Sequence, residues 1–305
     1  MNMRKSLWIG ILLASSWVSG QTCTAYVVVD PFDNKTTRGI DGLRAEDFEA
    51  KLDHTSVPIV SVTQRFNGRL LLLLEISGTA EDSTLADRAN QLANLAAQSP
   101  AGRSVAFGVF AERAVFMKGF STDPQERHSS ISEIMAQAKS LGKQTAVYDA
   151  LHDALALFGA HQPGDTILLI SDGFDNHSKR NGGDMEKEFL AHGTRLLVMM
   201  RPRASMVPVP GQQFRWDQDA NLGVRSSAGR GDLARLSGRT GGAYTGFSPH
   251  FFEFAWAGYM VGILAPANLE KPKEWNLRLH GVAAKAHPDA IIYQPWELPL
   301  CNPVQ

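Results

Sequence analysis

Residues 69–80 read Arg-Leu-Leu-Leu-Leu-Leu-Glu-Ile-Ser-Gly-Thr-Ala: five leucines run without a break into Glu75, with Ser77 and Thr79 at alternate positions after it. An unbroken apolar run that ends in polar residues is the mark of a strand buried on both faces of a parallel sheet. Beyond it the chain leaves the sheet in a loop that gathers one carboxylate and two hydroxyls. Oxygen side chains of this kind suit hard divalent cations.

Two later stretches supply the oxygens this loop lacks. Gln144–Leu151 (QTAVYDAL) opens a helix behind Thr145, and Thr166–Asn176 (TILLISDGFDN) is a second buried strand that ends in Ser171 and Asp172. In open α/β sheets, ligands collect just outside the carboxyl ends of the strands. The expected site therefore joins Glu75, Ser77 and Thr79 with Thr145 and Asp172. Thr145 and Asp172 also have plainer roles open to them, as a helix N-cap and as half of an Asp-Gly turn.

Through the middle of the chain, strand and helix patterns alternate. Helices are expected over 85–98, 124–139, 146–158, 185–192 and 232–236, and strands over 103–110, 114–120, 167–171, 195–200 and 243–247. That alternation specifies a doubly wound, mostly parallel, Rossmann-like α/β sheet. The two ends differ. Strands at 26–30, 47–53 and 57–64, with 54–56 as a turn, have no helices to cover them. After a helix at 249–256, neither do those at 259–264, 275–280 and 290–293. The ends are expected to pair into a small β module beside the main domain. This divides the chain into a leader (1–20), first β segment (21–66), α/β domain (67–247) and closing segment (248–305). Residues 202–228 form a long irregular stretch with three prolines, read as a rim of the binding surface or as a surface insertion.

The motif Glu75-Ile-Ser77-Gly-Thr79, then Thr145 ahead of Tyr-Asp-Ala-Leu, then Ser171-Asp172-Gly173, resembles the von Willebrand factor type A domain. That family's metal-ion-dependent adhesion site uses an Asp-x-Ser-x-Ser loop, a distant Thr and a distant Asp. Flanking pieces, residues 42–48 and 236–244, resemble its bacterial secreted branch. The resemblance implies a divalent cation (Mg, Mn or Ca) held by Glu75, Ser77, Thr79, Thr145 and Asp172, and a protein partner whose acidic side chain completes the ion's shell. Glu75 stands where the family has Asp, and Thr79 where it has Ser. The longer carboxylate moves its oxygens by about one bond length, which magnesium tolerates less well than calcium or manganese. The expected function is thus an exported, non-enzymatic adhesion-type module with a degenerate metal site. The alternatives are a metal-free scaffold that binds through its loops, and a Mg-dependent hydrolase using Asp172 or Glu75.

Composition narrows the classes further. The 305 residues are 44% hydrophobic and 20% charged, with 30 basic against 31 acidic residues and a formal charge of -1. No run of one sign offers a nucleic-acid footprint. Arg4 and Lys5, an apolar run at 7–14 and small residues at 15–20 have the layout of a signal peptide, cleaved after Gly20 or Ala25, with an uncleaved anchor as the alternative. No later segment is long enough to span a bilayer, so a secreted or periplasmic protein is expected. The only two cysteines, Cys23 and Cys301, are a candidate disulfide between the chain's ends or two free thiols. Arg230-Gly-Asp232 reads as a helix start with Asp232 as its cap. Asp175, Asn176 and Ser178 read as loop polarity. No zinc-binding His-Glu-x-x-His, nucleophile elbow or phosphate-binding loop is present.

Overall fold

The computed structural model describes residues 22–36, 38–64, 68–78, 102–200, 228–246, 258–267 and 273–299, with shorter pieces at 87, 89–90, 92–95, 97, 99, 255 and 269. The chain opens with β1 (Thr22–Asp33), β2 (Arg38–Gly39), β3 (Phe48–Leu52), β4 (Thr55–Val57) and β5 (Ile59–Gln64). It then builds β6 (Leu70–Glu75), β7 (Val105–Phe110), β8 (Ala114–Phe116), helices α1 (Pro124–Gln137) and α2 (Val147–Phe158), β9 (Thr166–Ser171), α3 (Gly182–His192), β10 (Arg195–Met200), α4 (Ala228–Arg239) and β11 (Tyr244–Gly246). It closes with β12 (Tyr259–Pro266), β13 (Lys273–Leu279), α5 (Gly281–Ala286), β14 (Ala290–Tyr293) and β15 (Glu297–Leu298).

The five leucines of β6 are buried without exception and lie at the centre of a six-stranded sheet, in the order β11-β10-β9-β6-β7-β8. All strands but the antiparallel edge β8 run parallel. Alternation along β6 serves two cores. Leu70, Leu72 and Leu74 pack with Leu92, Leu95, Ile131 and Ile134 on one face, while Leu71 and Leu73 meet Leu151, Phe189 and Leu233 from α2, α3 and α4 on the other. At about 1.5–3 kcal/mol per buried leucine side chain, this strand anchors the sheet. The fold is the doubly wound α/β architecture expected from the alternation.

The two ends form the β module. β1 pairs with β12, which pairs with β5, and β1 goes on to pair with β14; a second antiparallel sheet runs β15-β13-β3-β4. Segments 55–64 and 290–298 each pair with one sheet and then the other, so both edges where the sheets meet are joined. Val27, Val29, Phe48, Val261, Ile263, Trp275 and Leu298 share one core between the sheets. Cys23, at the start of β1, is disulfide-bonded; Cys301 lies outside the described residues.

Some boundaries differ from expectation for local reasons. The β3–β4 hairpin turns on Asp53 and His54, whose φ values of 45° and 66° match a two-residue turn, so Thr55 already belongs to a strand. Helix α3 begins three residues early because Asn181 caps it through the amides of Gly183 and Asp184. Asp232 is no N-cap: α4 starts at Ala228, and Asp232 lies inside it, accepting from the Tyr148 hydroxyl at 3.4 Å. The six-residue α5 was hidden by its brevity. Of the expected helix at 249–256, only Ala255 is described, as helical. The leader 1–20 and nearly all of the irregular stretch 202–228 also lie outside the described residues. Among the described residues no helix is long and apolar enough to cross a membrane.

The β module seats on the edge of the central sheet where the parallel strands begin. Asp30 of β1 meets Arg195 at the start of β10, both buried, with buried Arg103 beside them. The Arg239 guanidinium at the end of α4 pairs with Glu297 at 3.0 Å, and a Cβ on Gly238 would come within 2.9 Å of the Trp296 ring.

Candidate functional site

β6 connects to β7 on one side, and β9 connects to β10 on the other, so the strand order reverses between β6 and β9. The crevice outside the carboxyl ends of these two strands is where such folds take ligands. Glu75 ends β6, Ser171 ends β9 with Asp172 following it, and Thr145 lies just before α2. Four of the five expected site residues are brought together here. The fifth, Thr79, lies outside the described residues.

Glu75 is the centre of the cluster. Its side chain is buried, and its Oε1 faces the hydroxyls of Ser77 and Thr145, the latter at 3.3 Å. Thr145 Oγ1 and Ser77 Oγ are 2.7 Å apart. Oε2 accepts from the Ser171 hydroxyl at 2.7 Å and from the Asp172 amide at 2.9 Å. Ser171, fully buried, is therefore part of the cluster although it was not among the expected site residues; its position one step before Asp172 on a strand buried on both faces was the available signal. Asp172 itself turns one oxygen back to the Phe174 amide at 3.0 Å, in a turn that Gly173 makes with φ of 76°.

Thr145 is not a cap. Ala146 holds the N-cap position of α2 with no side-chain bond, and the free amides of the first turn are met from the loop after β9. Tyr148 N donates to Asp175 Oδ2 at 3.2 Å and to Ser178 Oγ at 3.0 Å. The Thr145 amide donates to Asn176 Oδ1 at 2.8 Å, and its carbonyl accepts from the amides of Asn176 and His177 at 3.0 and 3.1 Å. This double clamp frees the threonine hydroxyl for Ser77 and Glu75. Asp175, Asn176 and Ser178, read from sequence as plain loop polarity, hold the helix and Thr145 in place. On the far side, the Glu112 carboxylate accepts from the amides of Lys143 and Gln144, which holds its pKa below the usual carboxylate range.

The donor set suits a small cation. Six ligands about 2.1 Å from an ion place neighbouring oxygens about 3 Å apart, and the Ser77–Thr145 and Thr145–Glu75 separations bracket that value. Glu75, Ser77 and Thr145 would hold it, with Asp172 alongside. Among the described residues no group of three His, Cys, Asp or Glu side chains forms a metal site, so the hydroxyls are essential to this arrangement.

No family model and no curated protein matches the chain. Several solved structures resemble it. An aerotolerance-related membrane protein from Bacteroides fragilis is 21% identical over 60% of this chain and 93% of its own, with a TM-score of 0.43. Proximal thread matrix protein 1 from the mussel byssus, in a structure with a zinc-occupied MIDAS motif, is 14% identical over 67% of this chain and 49% of its own, with a TM-score of 0.45. A von Willebrand factor type A protein from Catenulispora acidiphila is 11% identical over 92% of this chain and 74% of its own, with a TM-score of 0.44. At such identities and scores the function rests on the residues described above.

Proposed function

We propose that this chain is an exported, von Willebrand factor A-like binding module, which recognises a protein partner at the β6–β9 crevice with the help of a divalent cation. One observation carries this. Glu75 is a buried carboxylate that faces hydroxyls and an amide, and among the described residues it pairs with no Lys, Arg or His. Buried charges are otherwise paired or bound to metals. Asp165 and Asp30, buried in the same protein, each face an arginine. A cation at Glu75, Ser77 and Thr145 would balance that charge and offer a coordination position to a partner's Asp or Glu. The role is recognition rather than turnover: both Glu75 oxygens are committed to hydrogen bonds and are poorly placed to act as a base.

Thermal unfolding with Mg²⁺, Mn²⁺ or Ca²⁺ against chelator tests the proposal. A cation at 100 times its dissociation constant adds about 2.7 kcal/mol, equivalent to several degrees for a chain of this size. The Asp172→Ala variant should lose most of the response. If no cation raises the unfolding temperature, or if the variant responds as the wild type does, the cation is dropped.

A second proposal has its own support. Ser77, Thr145, Ser171 and the Asp172 amide already give Glu75 four donors, so the cluster can close on itself as a metal-free scaffold whose loops do the binding. The same titration separates the two.

A further inference from the structure

Charge on the loops around the oxygen cluster is sorted by depth. Among the described residues three loops meet there: residues 111–113 after β7, 142–146 before α2 and 172–181 after β9. They are laced at one point, since the Ala146 amide donates to the Ala111 carbonyl at 2.8 Å and Thr145 is clamped from both sides by residues 176 and 177. Every acid on these loops is half-buried and turned inward. Glu112 accepts the amides of Lys143 and Gln144, Asp172 that of Phe174, and Asp175 those of Ser178 and Tyr148. Three cations are exposed, Lys143 and Lys179 standing outward and Arg113 donating from its guanidinium to the Ser140 carbonyl. None of the three makes a salt bridge to a described carboxylate, whereas half-buried Arg180 is already paired with Asp149 and Glu188.

We propose that this rim selects an acidic polypeptide segment carrying several carboxylates, which meet Arg113, Lys143 and Lys179. The proposal rests on the crevice being the binding site, as above, but its charge requirement is separate from any cation. A protein segment fits better than nucleic acid, because among the described residues the three exposed cations of this rim, on a chain of formal charge -1, fall short of the six to ten phosphate contacts that make such binding strong. Cations on a rim steer encounter and screen partners by sign more than they add affinity, and salt weakens their effect.

The test uses the full chain with poly-L-glutamate, poly-L-lysine, duplex DNA and phosphatidylglycerol vesicles as probes. Poly-L-glutamate should bind and poly-L-lysine should not, with affinity falling about tenfold or more between low and physiological salt. The triple variant R113E/K143E/K179E should lose poly-L-glutamate binding by about 100-fold while keeping the wild-type unfolding temperature and cation response. Unchanged binding by that variant overturns the proposal, as does tighter binding of DNA or vesicles than of poly-L-glutamate. If no cation stabilises the protein but glutamate binding still depends on the three side chains, the cation proposal falls and the rim stands. If cations stabilise the protein and the triple variant binds poly-L-glutamate as before, the rim falls alone.

Discussion

The two edges of the central sheet treat buried charge in opposite ways. Where the strands begin, each buried carboxylate meets a guanidinium: Asp165 takes Arg69 through two bonds of 2.9 and 2.6 Å, and Asp30 faces Arg195. Where β6 and β9 end, Glu75 is just as buried yet meets three hydroxyls and one amide. Neutralised pairs fasten one part of a structure to another. A carboxylate that meets only hydroxyls and an amide has no counter-charge among the described residues, and a cation could supply one. The first edge therefore attaches the β module, and the second is where the proposed cation and partner would act.

The largest expected effect breaks the attachment edge. Arg195→Met leaves Asp30 buried without its counter-charge, and should cost about 3–5 kcal/mol at pH 7 in urea unfolding. The loss should shrink at pH 5, where Asp30 takes up a proton, and should largely disappear in the double variant Arg195→Met/Asp30→Leu. A loss independent of pH would show that packing, not charge, holds the junction.

The pH profile of the wild type tests the same edge more gently. Burial raises Asp30 to about 6, against the pull of Arg195, from an ordinary value of 3.8. Because the folded value lies above the unfolded one, this group's stabilisation is full below about pH 4 and is lost as pH rises through about 6. Urea midpoints between pH 4 and 7 should therefore carry a downward slope that Asp30→Asn removes. An identical slope in that variant would assign it to other groups.

At the second edge the effects are smaller. Thr145→Val removes the hydroxyl that meets Ser77 and Glu75 and should cost about 1–2 kcal/mol in chelator, whereas Thr145→Ser should stay within about 0.5 kcal/mol of the wild type. With cation present, the valine variant should lose the thermal response and the serine variant should keep it. Equal responses in both would remove Thr145 from the ligand set.

How much of this was legible in the sequence follows the same division. β6 and the start of the crevice could be read from Leu70–Ser77, because burial on both faces leaves an unbroken apolar run and its end is marked by the first carboxylate. Thr145 and Asp172 were legible through their strand and helix contexts. The clamp by Asp175, Asn176 and Ser178 was not, since polar residues in a loop look alike until the helix they cap is placed beside them. The junction was equally hidden: Asp30 and Arg195 lie 165 positions apart, and nothing in the local pattern of either marks it as buried.

The smallest change in covalent structure sharpens the comparison most. Glu75→Asp withdraws the carboxylate by one methylene, which should cost about 1 kcal/mol in chelator through lost packing and longer bonds to Ser171 and the Asp172 amide. It also opens space beside Ser77 and Thr145 for an ion with its own water, as magnesium prefers. If the wild type and Glu75→Asp are both stabilised by Mg²⁺, the native glutamate is a ligand of adequate length. If the wild type is silent and the variant responds, the length of Glu75 is what closes the site, and its four internal donors stand in for the ion. If neither responds, the carboxylate at this edge is held by dipoles alone, and the loops with their exposed cations are left as the binding surface.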